Sequence, residues 1–349
     1  MPPQLPTRKL GKNGPEVVAM GFGLMGLSAF YGAPESDEER FKVLDRAYEL
    51  GQNNWDSADM YQDSEDLLGK WFKKTGKRNE IFLATKFGNK VVDGERSADS
   101  SPEYVKEACA KSLERLGVSQ IDLYYCHRVD RKTPIEKTVE AMVELKKYSL
   151  CLYLTEGKIK YLGISEITAD TLRRACKVHH IDVVQIEYSP FAIDIESPTI
   201  NLLKTCRELG VATVAYSPLG RGFVTGVYRS PADFEEGDFR KFAPRFSEEN
   251  FPKNLKLVDG LVSLAKKKNC TPGQLTLAWL MAQGDDIIPI PGTKKIKYLE
   301  ENLGALNVKL SDSEEKEIRD LVENAEVHGG RYPEAFAGHL FADTPPLKG

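Results

Sequence analysis

Eight short apolar runs recur along this chain, and a stretch of helical period follows each of them. This alternation constrains the fold more than any other feature. Strands separated by whole helices pair in parallel, and a parallel sheet needs both faces covered. The expected strands are Val17–Gly21, runs ending at Asp56, Lys86 and His127, then Ile159–Ile164, Val183–Glu187, Ala212–Tyr216 and Ile287–Pro291. The expected helices are Asp37–Leu50, Ser64–Thr75, Pro102–Leu116, one from Ile135, Thr168–Lys177, Ser197–Leu209, and Asn254–Lys268 with Pro272–Ala282. The reading is α/β: a (βα)8 TIM barrel forming a single domain over 1–349. A helix and loop tail are appended over 311–349, begun by a Ser311/Glu314 capping box. At 349 residues and 41% hydrophobic, the chain is long enough for one such core.

Three of the runs end in groups that handle protons. Asn54–Tyr61 carries Asp56 and Tyr61, Ile81–Lys86 ends in Lys86, and Ile121–His127 ends in His127. In a parallel barrel the C-terminal strand ends converge on one face, where such folds place their chemistry. Two long connections, Phe87–Ser101 and Arg221–Pro252, follow strands and belong over that same face.

The remaining composition narrows the class. Lys+Arg 48 against Asp+Glu 52 leaves a net charge of -4, with no basic stripe, so no nucleic-acid partner is expected. Neither a signal peptide nor a stretch of membrane-spanning length is read, so a cytoplasmic protein with no membrane partner is expected. Six scattered cysteines without a C-x-x-C pair read as reduced thiols, and the histidines offer no metal spacing. The segment Gly21-Phe22-Gly23-Leu24-Met25-Gly26 matches a dinucleotide fingerprint literally. Its third glycine should lie inside a helix, but Gly32, Pro34 and Ser36 intervene before one begins. The better reading is a strand end where a ligand or neighbouring strand comes close, with Gly23 and Met25 as cofactor contacts.

In motif the chain resembles the aldo-keto reductases, within them the fungal and plant pyridoxal reductase-like group. The resemblance spans Pro6 to Pro346. It is carried by Trp55-Asp56-Ser57-Ala58-Asp59-Met60-Tyr61, Ala84-Thr85-Lys86-Phe87-Gly88 and Asp122-Leu123-Tyr124-Tyr125-Cys126-His127-Arg128. Gly163-Ile164-Ser165-Glu166, Tyr216-Ser217-Pro218-Leu219-Gly220-Arg221-Gly222, Ile290-Pro291-Gly292-Thr293-Lys294 and Leu299-Glu300-Glu301-Asn302 complete it. The resemblance implies NADPH-dependent reduction of a small-molecule carbonyl substrate. Tyr61 would donate the proton, Lys86 would lower its pKa, Asp56 would hold Lys86, and His127 would orient the substrate oxygen.

On the cofactor side, Tyr216 would stack on the nicotinamide, and Ser165 and Gln185 would hold its carboxamide. Ser217, Leu219, Gly220, Arg221 and Gly222 would follow the pyrophosphate, with free N–H groups offered by the glycines. Gly292, Thr293 and Lys294 open a helix and would bind phosphate, the cluster Lys294, Lys295 and Lys297 favouring NADP over NAD. Glu301 and Asn302 would reach the adenine. Glu166 stands where the family commonly has Asn.

Taken singly, each tetrad residue has a plainer role: a loop cap, a rim aromatic, a surface lysine, a structural histidine. Their joint order favours chemistry. Two other classes stay open, a cofactor-binding regulatory subunit of the same fold and a barrel hydrolase using Asp56 with a second carboxylate. Phe223, Tyr228, Phe234, Phe239, Arg331 and Tyr332 are expected to line the substrate loops, which suits aromatic or aliphatic aldehydes. Oligomeric state is not legible. Asn53 and Asn54 place two amides in a strand, where they must find partners or cost stability. Tyr148–Thr155 reads as an insert before the fifth strand, away from the chemistry.

Overall fold

The computed structural model describes residues 2–92, 95–146 and 157–348. Eight parallel strands form the sheet: β1 (Phe22–Gly23), β2 (Asn54–Asp56), β3 (Phe82–Phe87), β4 (Ile121–Cys126), β5 (Ile159–Ser165), β6 (Val183–Glu187), β7 (Ala212–Tyr216) and β8 (Ile287–Pro289). They neighbour one another in chain order, the arrangement expected when each connection is a helix packed on the outside. The sheet closes on itself, because Gly21 N–H donates to Pro289 O at 3.0 Å and Gly23 N–H to Pro291 O at 3.2 Å. The two chains meet closely there. A Cβ on Gly292 would lie 2.5 Å from Gly23 O, and one on Gly23 would lie 2.7 Å from Ile290 O. These glycines let the first and last strands seal the barrel.

The outer ring is α1 (Asp37–Glu49), α2 (Ser64–Thr75), α3 (Pro102–Leu116), α4 (Ile135–Lys146), α5 (Ala169–Val178), α6 (Leu202–Leu209), α7 (Phe251–Lys268), α8 (Pro272–Ala282), α9 (Ile296–Gly304) and α10 (Asp312–Glu323). Their starts follow local chemistry. The Ser36 and Ser101 hydroxyls accept from the N–H groups of Glu39 and Tyr104, and Thr271 and Ser311 form capping boxes with Gln274 and Glu314.

Alternation along the strands separates two cores. Tyr124, Cys126, Leu162 and Ile186 face the helices. Ala84, Leu123, Tyr125, Val183, Val214 and Ile288 fill the barrel interior, with Leu10 and Val17 packed among them. Gly163 is a packing residue there: a Cβ would lie 2.2 Å from the Tyr125 ring.

Several sequence expectations need correction. Val17 and Val18 belong to an antiparallel hairpin, Thr7–Lys9 with Glu16–Val18, and the first barrel strand is Phe22–Gly23. The helix expected from Ser197 starts only at Leu202, after Asn201 takes a left-handed conformation. The connection after β3 contains its own hairpin, Asn89–Val92 with Glu95–Ala98. The connection after β7 is a series of short 3-10 turns around packed Phe191, Phe223, Phe234, Phe246 and Phe251. Asn53 and Asn54 both find acceptors, Glu80 O at 3.1 Å and Val18 O at 3.3 Å, so no amide is stranded. Tyr148–Thr155 lies outside the described residues.

Candidate active site

The same alternation that sends Ala84, Leu123, Tyr125, Val183 and Val214 inward places Lys86, His127, Gln185 and Tyr216 on that inner face, at its C-terminal end. Register aligns them across the mouth. Asp56 pairs with Ala84, Lys86 with Tyr125, Gln185 with Ser165, and Glu187 with Tyr216. Tyr61 joins from the turn after β2, where its N–H donates to Ala58 O at 3.1 Å.

Lys86 is the centre of the cluster. Its side chain is fully buried, and its ammonium donates to Asp56 Oδ1, to Ser57 O at 2.6 Å and to the Tyr61 hydroxyl at 3.5 Å. All three ammonium protons are thereby used. The other Asp56 oxygen accepts from Gln185 Nε2 at 2.8 Å, which fixes the carboxylate. The Tyr61 ring stands edge-on to His127, with centroids 5.8 Å apart, and edge-on to Phe30 on its other side at 6.5 Å. His127 Nδ1 is buried without a hydrogen-bond partner among the described residues.

Burial dominates the protonation states. It pushes Asp56 above the usual carboxylate range, opposed by Lys86 and Gln185. Burial alone would lower Lys86, but Asp56 and then Tyr61 more than offset it and hold the ammonium above the ordinary lysine range. Burial, helped by Arg128 and Lys86, holds His127 well below the usual imidazole range, so the ring is neutral. Tyr61 feels the expected pull of Lys86 together with a larger opposing effect. Lys86 does pull its pKa down, but burial outweighs that pull and the net shift is upward. The phenol therefore keeps its proton at neutral pH.

The residues framing the mouth include one set of contacts absent from the sequence reading. Glu166, with φ of 53°, is fully buried and receives Arg331 through both oxygens at 3.2 and 3.3 Å. It also accepts from the Tyr216 hydroxyl at 2.7 Å and from Phe341 N–H at 3.2 Å. Glu166 thus ties the C-terminal tail to the strand ends, and Ala342 N–H donates to its backbone carbonyl at 2.8 Å. No signal in the sequence links positions so far apart. Arg331 is accordingly no substrate-loop residue, and Phe223 and Phe234 are core. Phe239 and Tyr332 do pack together, their rings 5.7 Å apart.

The family model for the aldo/keto reductases matches residues 19–323. The chain belongs to the aldo/keto reductase family. It is 57% identical over 348 residues to aldo-keto reductase str7 of Strobilurus tenacellus, covering 98% of this chain and 99% of that protein. It is 54% identical over 347 residues to aldo-keto reductase yakc [NADP(+)] of Schizosaccharomyces pombe, again covering 98% and 99%. Among solved structures, the holo form of aldo-keto reductase AKR11C1 from Bacillus halodurans superposes with a TM-score of 0.72 at 28% identity, over 94% of this chain and 98% of that one.

In this aldo/keto reductase several of the residues expected at the cofactor are engaged within the fold. Ser165 Oγ accepts from Arg128 at 3.3 Å, and Gln185 is committed to Asp56. Gly220 and Gly222 do not offer free N–H groups, since these donate to Ser217 O at 2.8 Å and Leu219 O at 2.9 Å. The Arg221 guanidinium is buried against Glu187 and the Arg331 carbonyl rather than presented to a phosphate. Met25 opens a four-residue turn of helix just past Gly23. At the start of α9, Lys295 and Lys297 are exposed while Lys294 Nζ donates to Tyr31 O. No acidic side chain stands in that first turn, which leaves its N–H groups and lysines suited to a phosphate. Thr293 Oγ1 accepts from Lys295 N–H at 3.0 Å, Glu301 accepts from Thr271 at 2.7 Å, and Asn302 is buried on α9.

Proposed function

We propose that this chain reduces aldehydes or ketones to alcohols with NADPH, and that Tyr61 donates the proton. The observation that carries the reading is Lys86, a fully buried ammonium that touches Asp56, Ser57 O and Tyr61 together. A buried lysine with every proton committed is costly as mere structure and well suited to stabilising a developing phenolate.

The residues present fit the cofactor. Tyr216, Ser165 and Gln185 would hold the nicotinamide, the Ser217–Gly222 turn would flank the pyrophosphate, and the Gly292–Lys294 segment with Lys295 and Lys297 would take the 2′-phosphate. Glu301 and Asn302 would meet the adenine, while Gly23 and Met25 would line the near wall. NADPH, when bound, supplies the hydride.

The protein's own part is proton delivery and orientation. Because burial keeps Tyr61 protonated, the proton stays on the phenol until the carbonyl oxygen gains charge. Lys86 then stabilises the phenolate left behind, while Asp56 and Gln185 keep Lys86 in place. Neutral His127 donates a ring N–H to the same oxygen, a contact worth about 3 kcal/mol in the transition state. Pyridoxal is one aldehyde within this reading.

The test is cofactor-dependent turnover across a panel of aldehydes, including pyridoxal and nitrobenzaldehyde, with NADPH and with NADH. Turnover that favours NADPH supports the proposal. Tight NADPH binding with no turnover over the whole panel would replace it with a regulatory role.

A further inference from the structure

Proton transfer leaves one cation at the mouth without a task. Arg128 follows His127 directly at the top of β4, half-buried. Its Nη1 donates to His127 O at 2.6 Å and to Ser165 Oγ at 3.3 Å. These are the only hydrogen bonds of its guanidinium among the described residues, and it forms no ion pair with any described carboxylate. A guanidinium carries five N–H donors in a planar fork, so most of its capacity is unspent.

The nearby acids are already committed. Asp130 is turned back onto its own loop, accepting from the N–H groups of Ser100, Lys132 and Thr133 at 3.0, 2.8 and 2.7 Å. Glu166 is held by Arg331 and Tyr216, and Glu187 by Arg221. Arg131, on the same loop as Arg128, donates to Gly338 O of the tail and likewise has no ion pair among the described residues. Burial, then Arg128 and Arg131, hold the neighbouring His339 below the usual imidazole range, so the positive charge of this wall rests on the two arginines. Tyr216 and Glu166, the latter already paired with Arg331, offset the burial of Arg128 only through space, and an anion in direct contact would use the donors left over. The fork geometry matches a carboxylate.

We propose that Arg128 is a specificity-determining residue that binds a carboxylate on the carbonyl substrate, so that aldehydes or ketones carrying an acidic group are preferred. This rests on the reductase reading of the same site. Position supports it: Arg128 adjoins His127, the group that would hold the carbonyl oxygen, and its guanidinium lies between the ends of β4 and β5 at the mouth.

The experiment compares kcat/KM for a carboxylated benzaldehyde and for its methyl ester, with NADPH, in the wild type, Arg128→Met and Arg128→Lys. NADPH affinity is measured alongside by fluorescence titration. The wild type is expected to prefer the acid by at least about tenfold, the size of one charge-assisted contact. Arg128→Met should bring that ratio close to parity, and Arg128→Lys should keep part of it. A wild type without preference, or a methionine variant that retains it, overturns the proposal. Equal loss on both aldehydes with NADPH affinity weakened in parallel also overturns it, and assigns Arg128 to the cofactor. Failure of the wild type to reduce either aldehyde would remove the reductase reading itself, and this inference with it.

Discussion

Replacing Lys86 by Met separates a catalytic lysine from an incidental one and has a calculable cost. The substitution keeps the aliphatic stem and removes the ammonium, which donates to Asp56, Ser57 O and Tyr61. Asp56, only 4% exposed, would retain just its bond from Gln185. Breaking a buried pair by deleting one partner costs about 3–5 kcal/mol, because the other charge is left uncompensated. Asp56→Asn alone leaves the lysine similarly stranded. The double variant Lys86→Met/Asp56→Asn removes both charges and should recover much of the loss, with a coupling of about 2 kcal/mol or more. Urea unfolding followed by circular dichroism on the four proteins yields that coupling. Single-variant losses that add to the double-variant loss within about 0.5 kcal/mol would refute the pairing. Activity gives an independent reading: Lys86→Met should lower kcat by about a hundredfold, since the phenolate loses its stabilising charge.

Other outcomes follow from the same contacts. Gly292→Ala should destabilise the protein by about 1–3 kcal/mol in urea unfolding, since the new methyl would meet the Gly23 carbonyl at 2.5 Å; unchanged stability would show that the closure can relax. Arg331→Met should cost about 3–5 kcal/mol by stranding buried Glu166, and should speed amide exchange at Phe341 and Ala342; exchange at the wild-type rate would mean that the tail is held elsewhere. Acid sensitivity should include two imidazoles. Burial lowers His180 to about 4 and holds His127 well below its ordinary value. Depressed folded values mean that the unfolded chain binds more protons below about pH 6.5. Their stability is therefore complete above that pH and is lost as pH falls toward the folded values. His180→Gln should flatten the stability slope between about pH 6 and 4, and an unchanged slope would exclude that residue.

Strand ends were the most legible part of the chain. Asp56, Lys86 and His127 each end an apolar run, and the C-terminal strand ends of a parallel barrel converge on one face, so their meeting followed from the fold reading. The first barrel strand was not legible in this way. Val17-Val18-Ala19 has the apolar content of a core strand, yet Val17 and Val18 pair with Arg8 and Thr7, while the true strand, Phe22–Gly23, is too short to show a period. The phosphate-side reading did not anticipate the hydrogen bonding of its segments. Gly220 and Gly222 use their N–H groups in turns, and Arg221 answers to Glu187, a partner distant in sequence. The Glu166–Arg331 link was invisible for the same reason: a buried ion pair across the fold leaves no local pattern. The pull of Lys86 on Tyr61 was legible, but the burial that outweighs it is a tertiary quantity and was not.

The central claim is that Tyr61 gives up the proton. Tyr61→Phe removes one hydroxyl and keeps the ring packed against His127 and Phe30. The measurement is NADPH consumption with the best aldehyde of the panel, wild type against Tyr61→Phe, with NADPH affinity determined on both. The expected result is a fall in kcat of about 100-fold to 10,000-fold at unchanged NADPH affinity. Wild-type turnover by the phenylalanine variant would contradict the claim and move the proton to another donor.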